Sequence, residues 1–218
     1  LVGDCGVGKT SFIKRLQTDK FEEKYFPTTV PQVSQLVFHT ANEMILFDIW
    51  DTPGQKRFGG LKEECYQDIN GAIIMFDVTS PETYRNVSKW YEDLTQICPE
   101  IPIMLVGNKI DSHDRVVPGR RVTFHKKHNM FYLEISSKSN YYLELPFLAL
   151  ARSILKDRQL RFISHRTNNL PPESIQEYNC ELFEDILISP ENDNYLFKLI
   201  RNDQIVDFVR YLEQTNIS

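Results

Sequence analysis

The chain has 218 residues, 41% of them hydrophobic and 25% charged, with a formal charge of −5. That size fits one ordinary domain with an extension, or two very small domains, and the balance is that of a soluble globular protein. No apolar run approaches the roughly 18 residues that a membrane-spanning helix needs.

In chain order, Gly3 to Thr10 is glycine-rich and Lys9–Thr18 then reads as a helix. Val33–His39 and Met44–Asp51 are β-rich runs separated by a turn near Asn42. Ala72–Val78 is a short continuous apolar run, suited to a strand buried on both faces. Ser80-Pro81 predicts a helix start, with serine as cap and proline at the first helical position, running to about Ile97. Ile101–Gly107 is the next buried strand. A polar stretch to Gly119, a short helix, the strand Phe131–Ile135 and a closing helix Tyr141–Leu155 follow. Buried strands alternating with helices predict an α/β fold with a mostly parallel sheet covered on both faces, with ligands at the carboxyl ends of the strands.

Beyond that core the character changes. A domain over 1–158 is expected to give way to a linker over 159–175, marked by Asn168-Asn169 and Pro171-Pro172. Residues 176–218 are expected to form an acidic helical extension, with Ile205, Phe208, Val209 and Leu212 at one-face spacing. Residues 173–218 hold ten acids and three bases, leaving a net of +2 for the remainder. That split reads either as a solvated helical face or as a tail that docks on a basic patch of the body. The four cysteines, Cys5, Cys65, Cys98 and Cys180, form neither metal-ligand spacing nor a disulfide framework, which implies a reducing compartment. The start, Leu1-Val2-Gly3-Asp4, lacks the marks of a signal peptide, and the end, Thr215 to Ser218, carries no cysteine for prenylation, so no membrane anchor is expected.

Three motifs carry chemistry, each in a loop that follows a strand. Gly3-Asp4-Cys5-Gly6-Val7-Gly8-Lys9-Thr10 fits the phosphate-binding loop. Its glycines let successive N–H groups face phosphate oxygens, and the helix that follows adds positive potential at its N-terminus. Lys9 would reach the β- and γ-phosphates and Thr10 would hold Mg²⁺. Asp51-Thr52-Pro53-Gly54-Gln55 ends a strand: Asp51 can hold Mg²⁺ through water, the Gly54 N–H can meet the γ-phosphate and Gln55 can orient the attacking water. In Asn108-Lys109-Ile110-Asp111, the Asp111 carboxylate can accept hydrogen bonds from both the N1–H and the exocyclic amine of guanine. Adenine lacks that donor pair and would leave a buried charge unpaired. Asn108 and Lys109 would brace that loop and cover the base. Ser136-Ser137-Lys138 follows the last strand and can close over the base. Thr28 is a candidate second Mg²⁺ ligand, and Phe21 reads either as a lid on the base edge or as a core aromatic.

This order of motifs resembles the Ras superfamily of small GTPases, and within it the Ran family. The stretches that carry the finer resemblance are Leu36-Val37-Phe38-His39-Thr40, Trp50-Asp51-Thr52, Phe58-Gly59-Gly60-Leu61, Ala72 to Ser80, Lys138-Ser139-Asn140-Tyr141, Pro146-Phe147-Leu148 and Pro171-Pro172-Glu173. The resemblance covers residues 1 to about 175. It implies a P-loop NTPase fold with a six-stranded sheet and a GTP/GDP switch with Mg²⁺. Gln55 and Lys9 would be catalytic, and Asp4, Cys5, Gly6, Val7, Gly8, Ser11 and Tyr25 would join the nucleotide site. It also implies a GTPase that acts slowly without an activating protein, an exchange factor, importin-type transport receptors and a location in nucleus and cytoplasm. His125-Lys126-Lys127 would belong to a basic patch offered to those receptors. No nucleic-acid partner is expected.

The chain departs from the Ran pattern in four places: a shorter first strand, Cys5 for a glycine, Pro53 for an alanine, and an apolar tail in place of a very acidic terminus. Two other readings stand beside this one. One is a GTP-bound interaction module with little or no hydrolysis, which Cys5 and Pro53 favour. The other is a Rab-like trafficking GTPase, which a cysteine-free terminus disfavours.

Overall fold

The computed structural model describes residues 1–54 and 69–163. In that span the elements are α1 (Lys9–Thr18), β1 (Gln32–His39), β2 (Met44–Asp51), β3 (Ala72–Asp77), α2 (Pro81–Arg85), α3 (Val87–Ile97), β4 (Ile103–Asn108), α4 (Phe124–Lys127), β5 (Phe131–Glu134) and α5 (Leu145–Leu155). β3, β4 and β5 form a parallel sheet in that order, with Ala72 opposite Ile103 and Met104 opposite Phe131. All six residues of β3 are buried, the pattern of a parallel strand with both faces covered. β1 and β2 form an antiparallel hairpin, with His39 opposite Met44, closed where Thr40 N donates to Glu43 O at 2.8 Å.

The resemblance implied one six-stranded sheet; the described residues hold five strands in two sheets. Leu1 and Val2 lie between the sheets and bond to both. Thr52 N donates to Leu1 O at 3.4 Å, while Val2 exchanges bonds with β3, Val2 N to Ile73 O at 2.9 Å and Met75 N to Val2 O at 2.8 Å. Two residues make a single parallel bridge, Val2 to Ile74, rather than a strand.

Helices cover both sides. α2 and α3 pack on β3, α5 on β4 and β5, and α1 on β1 and β2. On one side Ile74, Phe76 and Leu105 meet Trp90 and Leu94 of α3, with Val117, Val122 and Met130 completing the cluster. On the other, Phe12 of α1 stacks on Phe147 of α5 at 5.5 Å between ring centroids, and Phe38 of β1 stacks on Phe147 at 5.3 Å. α5 buries every residue from Leu145 to Ala151, so it is apolar nearly all round.

Three expectations need correction. The helix expected from Ser80 to Ile97 is interrupted at Asn86, and Ser80 makes no side-chain cap; instead Thr83 Oγ1 donates to Ser80 O at 2.7 Å. The closing helix starts at Leu145 rather than Tyr141, because Tyr141 pairs with Ser136 through two backbone bonds and Asn140 and Tyr142 have left-handed φ of 61° and 58°. The linker expected from 159 is, in its first five residues, part of the fold. Phe162 stacks on Phe38 at 4.5 Å, Arg152 Nε donates to Leu160 O at 2.9 Å, and Ile163 N donates to His39 O at 2.7 Å. Gln55, Phe58-Gly59-Gly60-Leu61, the remaining linker with Pro171-Pro172 and the extension 176–218 lie outside the described residues.

Candidate functional site

The loop from Gly3 to Gly8 leaves the end of the Leu1–Val2 bridge and feeds α1 without an intervening turn residue. Gly8 holds a left-handed φ of 101°, and a Cβ there would collide with the Asn108 amide nitrogen, so only glycine fits. α1 has no acidic side chain in its first turn and no side-chain cap, which leaves its first N–H groups and its dipole to an anion.

A cleft of about 360 Å³ opens over this helix end. The end over the helix, where phosphate is expected, is lined by Cys5, Gly6, Gly8, Lys9, Thr10 and Ser11, and by Tyr25, Thr28 and Gly54 from the neighbouring loops. Lys9 is only 6% exposed; its Nζ donates to Gly3 O at 2.6 Å and to Asp4 O at 3.0 Å. Burial pulls its pKa down to about 8, against the opposing pull of Asp51. Asp51, 2% exposed at the end of β2, is pushed the other way, upward, again chiefly by burial. Both charges are thus held where charge is costly, and an anion above Lys9 with a cation at Asp51 would relieve both.

Oxygen donors gather at that point. Thr10 Oγ1 donates to Asp51 Oδ2 at 2.5 Å and lies 2.8 Å from Thr28 Oγ1, while Asp51 Oδ1 is buried with no hydrogen-bond partner. One carboxylate and two hydroxyls suit a small hard cation that keeps its remaining positions for water and phosphate. Among the described residues no three His, Cys, Asp or Glu side chains cluster into an all-protein metal cage. The residues therefore fit Mg²⁺ held jointly with a phosphate ligand.

The other end of the cleft, where the base is expected, is lined by Phe21, Asn108, Lys109, Asp111, Ser137 and Lys138. Asn108 ends β4 at 1% exposure. Its Nδ2 donates to Val7 O at 2.9 Å, and its Oδ1 accepts from Ser137 N at 3.1 Å and Ser137 Oγ at 3.2 Å, so one side chain joins three loops. Lys109 takes a left-handed φ of 70° and places Nζ 2.6 Å from Asp77 Oδ2 at the end of β3. Ser136 Oγ donates to Asp111 Oδ1 at 2.5 Å, which orients the carboxylate. Phe21, open between lid and core, lines the cleft rather than the core.

Four predicted residues do not line the cleft. Val7 and Ser136 are fully buried, and Asp51 lies beneath Thr10. The Asp4 side chain turns toward α3, where Asp4 Oδ1 accepts from Trp90 Nε1 and Asp4 Oδ2 from Asn86 Nδ2, each at 2.7 Å. Cys5 does face the cleft, with Sγ 2.7 Å from Tyr25 Oη. His125 is not a cationic member of a basic patch: its ring stacks on Tyr132 with centroids 5.0 Å apart, and burial lowers its pKa to about 4. The sequence reading missed Ser112, Lys14, Glu22, Glu23, Lys24 and Phe26 as cleft walls, and Asp77 as the partner of Lys109. An acid ending one buried strand beside a lysine after the next was the signal for that pair.

Compared with known protein families, residues 1–156 match the model described as "Ras family".

Proposed function

The chain belongs to the Ras family, a small GTPase domain with the P-loop α/β fold and a guanine-nucleotide switch, and from that premise we propose that it is a Ran-type GTPase acting in nucleocytoplasmic transport. The observation that carries the nucleotide part is the cleft itself. A buried, depressed lysine stands at a helix N-terminus beside an orphaned carboxylate oxygen, and an oriented Asp111 closes the other end.

The residues divide the work by position. Lys9 holds the β- and γ-phosphates, and the backbone of the loop encloses them. Thr10, Thr28 and Asp51 hold Mg²⁺, which when bound neutralises charge on the phosphates. Gly54 presents its N–H to the γ-phosphate: its backbone lies so close to the Asp4–Cys5 peptide that a Cβ would collide with it. Gln55 orients the water that attacks the γ-phosphorus, giving GDP and phosphate. No arginine lines the cleft among the described residues. Unassisted turnover is therefore expected to be slow, on the order of 10⁻⁴ s⁻¹, and to need an activating protein.

The Ran-type assignment rests on the sequence stretches given above, and with it come importin-type receptors, an exchange factor and a nuclear and cytoplasmic location. Single-turnover GTP hydrolysis with and without a Ran-type activator, paired with retention on an importin-type receptor in each nucleotide state, tests it. Activator-stimulated hydrolysis with GTP-dependent retention is expected; nucleotide-independent retention would remove the transport role. The contact of Cys5 with Tyr25 favours a second reading, a GTP-bound interaction module that hydrolyses little, since it puts a side chain on the wall of the cleft where a glycine would leave open space.

A further inference from the structure

Asp4 puts a carboxylate into the phosphate loop. A carboxylate beside an anion site repels the ligand unless its charge is turned away and compensated. Here both oxygens are taken by neutral donors, Trp90 Nε1 of α3 and Asn86 Nδ2 at the break before it, each at 2.7 Å. Trp90 is 4% exposed and sits in the core cluster with Leu94 and Phe76, so this donor cannot drift. Asn86 is the residue at which α2 and α3 are interrupted, and the break puts its amide over the loop. On its main-chain side, Asp4 offers its carbonyl to Lys9 Nζ at 3.0 Å, and the Asp4–Cys5 peptide is the surface against which the Gly54 backbone rests. One residue thus ties α3 to two elements of the phosphate site.

Resting on the nucleotide reading above, we propose that Asp4 is a positioning residue through which α3 sets how long the nucleotide is held. Trp90 and Asn86 fix the Asp4–Cys5 peptide and keep the carboxylate away from the phosphates. Any partner that shifts α3 through its outer residues, Lys89, Glu92 and Gln96, then alters nucleotide retention without entering the cleft.

The test is GDP release from full-length protein loaded with a fluorescent GDP, with thermal stability measured in parallel. Trp90→Phe keeps the ring and removes the donor; Asn86→Ala removes the other donor and leaves the core intact. Each is expected to speed release about tenfold, the share of one hydrogen bond to a charged group. Asp4→Asn keeps an acceptor for the indole, and the Asn86 amide can flip to match it, so release stays within about threefold of wild type. Leu133→Ala weakens the core at β5, outside the cluster that holds α3, and is expected to leave release within about twofold of wild type. Wild-type release from both donor variants overturns the proposal, as does acceleration by Leu133→Ala equal to that of Trp90→Phe. A wild-type protein that retains no guanine nucleotide overturns the nucleotide reading itself and this proposal with it, which separates the two failures.

Discussion

The two ends of the cleft are built on opposite principles. At the base end every key polar side chain already has its partner: Asn108 joins Val7 to Ser137, Ser136 orients Asp111, and Asp77 holds Lys109. At the phosphate end the charged groups are buried and poorly compensated, with Lys9 pulled down to about 8 and Asp51 left with an orphaned oxygen. A prewired end gives selectivity at little reorganisation, whereas a strained end stores instability that the ligand relieves. The base end should therefore read out in specificity and fold stability, the phosphate end in affinity.

The largest break comes from Lys9→Met. Removing the buried ammonium expected to meet the β-phosphate should weaken GDP binding on the order of 10³-fold. Because burial penalises that charge, the nucleotide-free variant should melt no lower than wild type, and calorimetry of the apo protein checks the sign. A drop in apo melting temperature would mean the lysine is structural and the contrast between the ends is false.

Asp111→Asn comes next. It presents a donor where guanine needs an acceptor, so GTP affinity should fall on the order of 10²-fold and preference should turn toward the xanthine nucleotide. Titrations with GTP, XTP and ATP decide this, and an unchanged GTP preference would remove Asp111 from the base site.

pH separates the ends more finely. With its pKa lowered to about 8, Lys9 in the free protein loses its proton as pH rises through 8, and bound phosphates restore it. GDP affinity is therefore expected to fall about tenfold from pH 7.5 to 9, with proton uptake on binding. The free protein runs the other way. Between 8 and 10.5 the unfolded chain carries the extra proton, so this group makes folding more favourable as pH rises. Binding calorimetry in buffers of different ionisation enthalpy detects the uptake. Asp111→Asn should leave that profile unmoved.

The smallest effect is expected from Cys5→Gly. It removes a side chain from the cleft wall together with its contact to Tyr25, so hydrolysis is expected to rise several-fold while GDP affinity stays within about threefold. An unchanged single-turnover rate would mean that the thiol lies clear of the water's path.

Local signals made much of this legible. Lys9–Thr18 and Met44–Asp51 have the bounds that the glycine-rich loop, the β-rich composition and the turn near Asn42 indicate, and the cleft gathers most of the residues that three short motifs name. What stayed hidden depends on distance along the chain. Asp4 meets Asn86 and Trp90 across more than eighty residues, and nothing near Asp4 foretells that its side chain leaves the site. Phe162 falls past α5, where composition reads as linker, yet ring stacking on Phe38 holds it. The closing helix was drawn too long because apolar spacing around Tyr141 hides two left-handed residues.

The close seating of Gly8 against Asn108 makes the two ends a bivalent receptor with a spacer of fixed length. A ligand anchored at one end meets the other at a high effective concentration, because no chain entropy is lost in bringing the halves together. Guanosine or pyrophosphate alone engages one half, and their joint presence cannot reproduce the avidity of the tethered molecule. An inhibitor built from two weak fragments would gain most from a linker as stiff as the ribose it replaces.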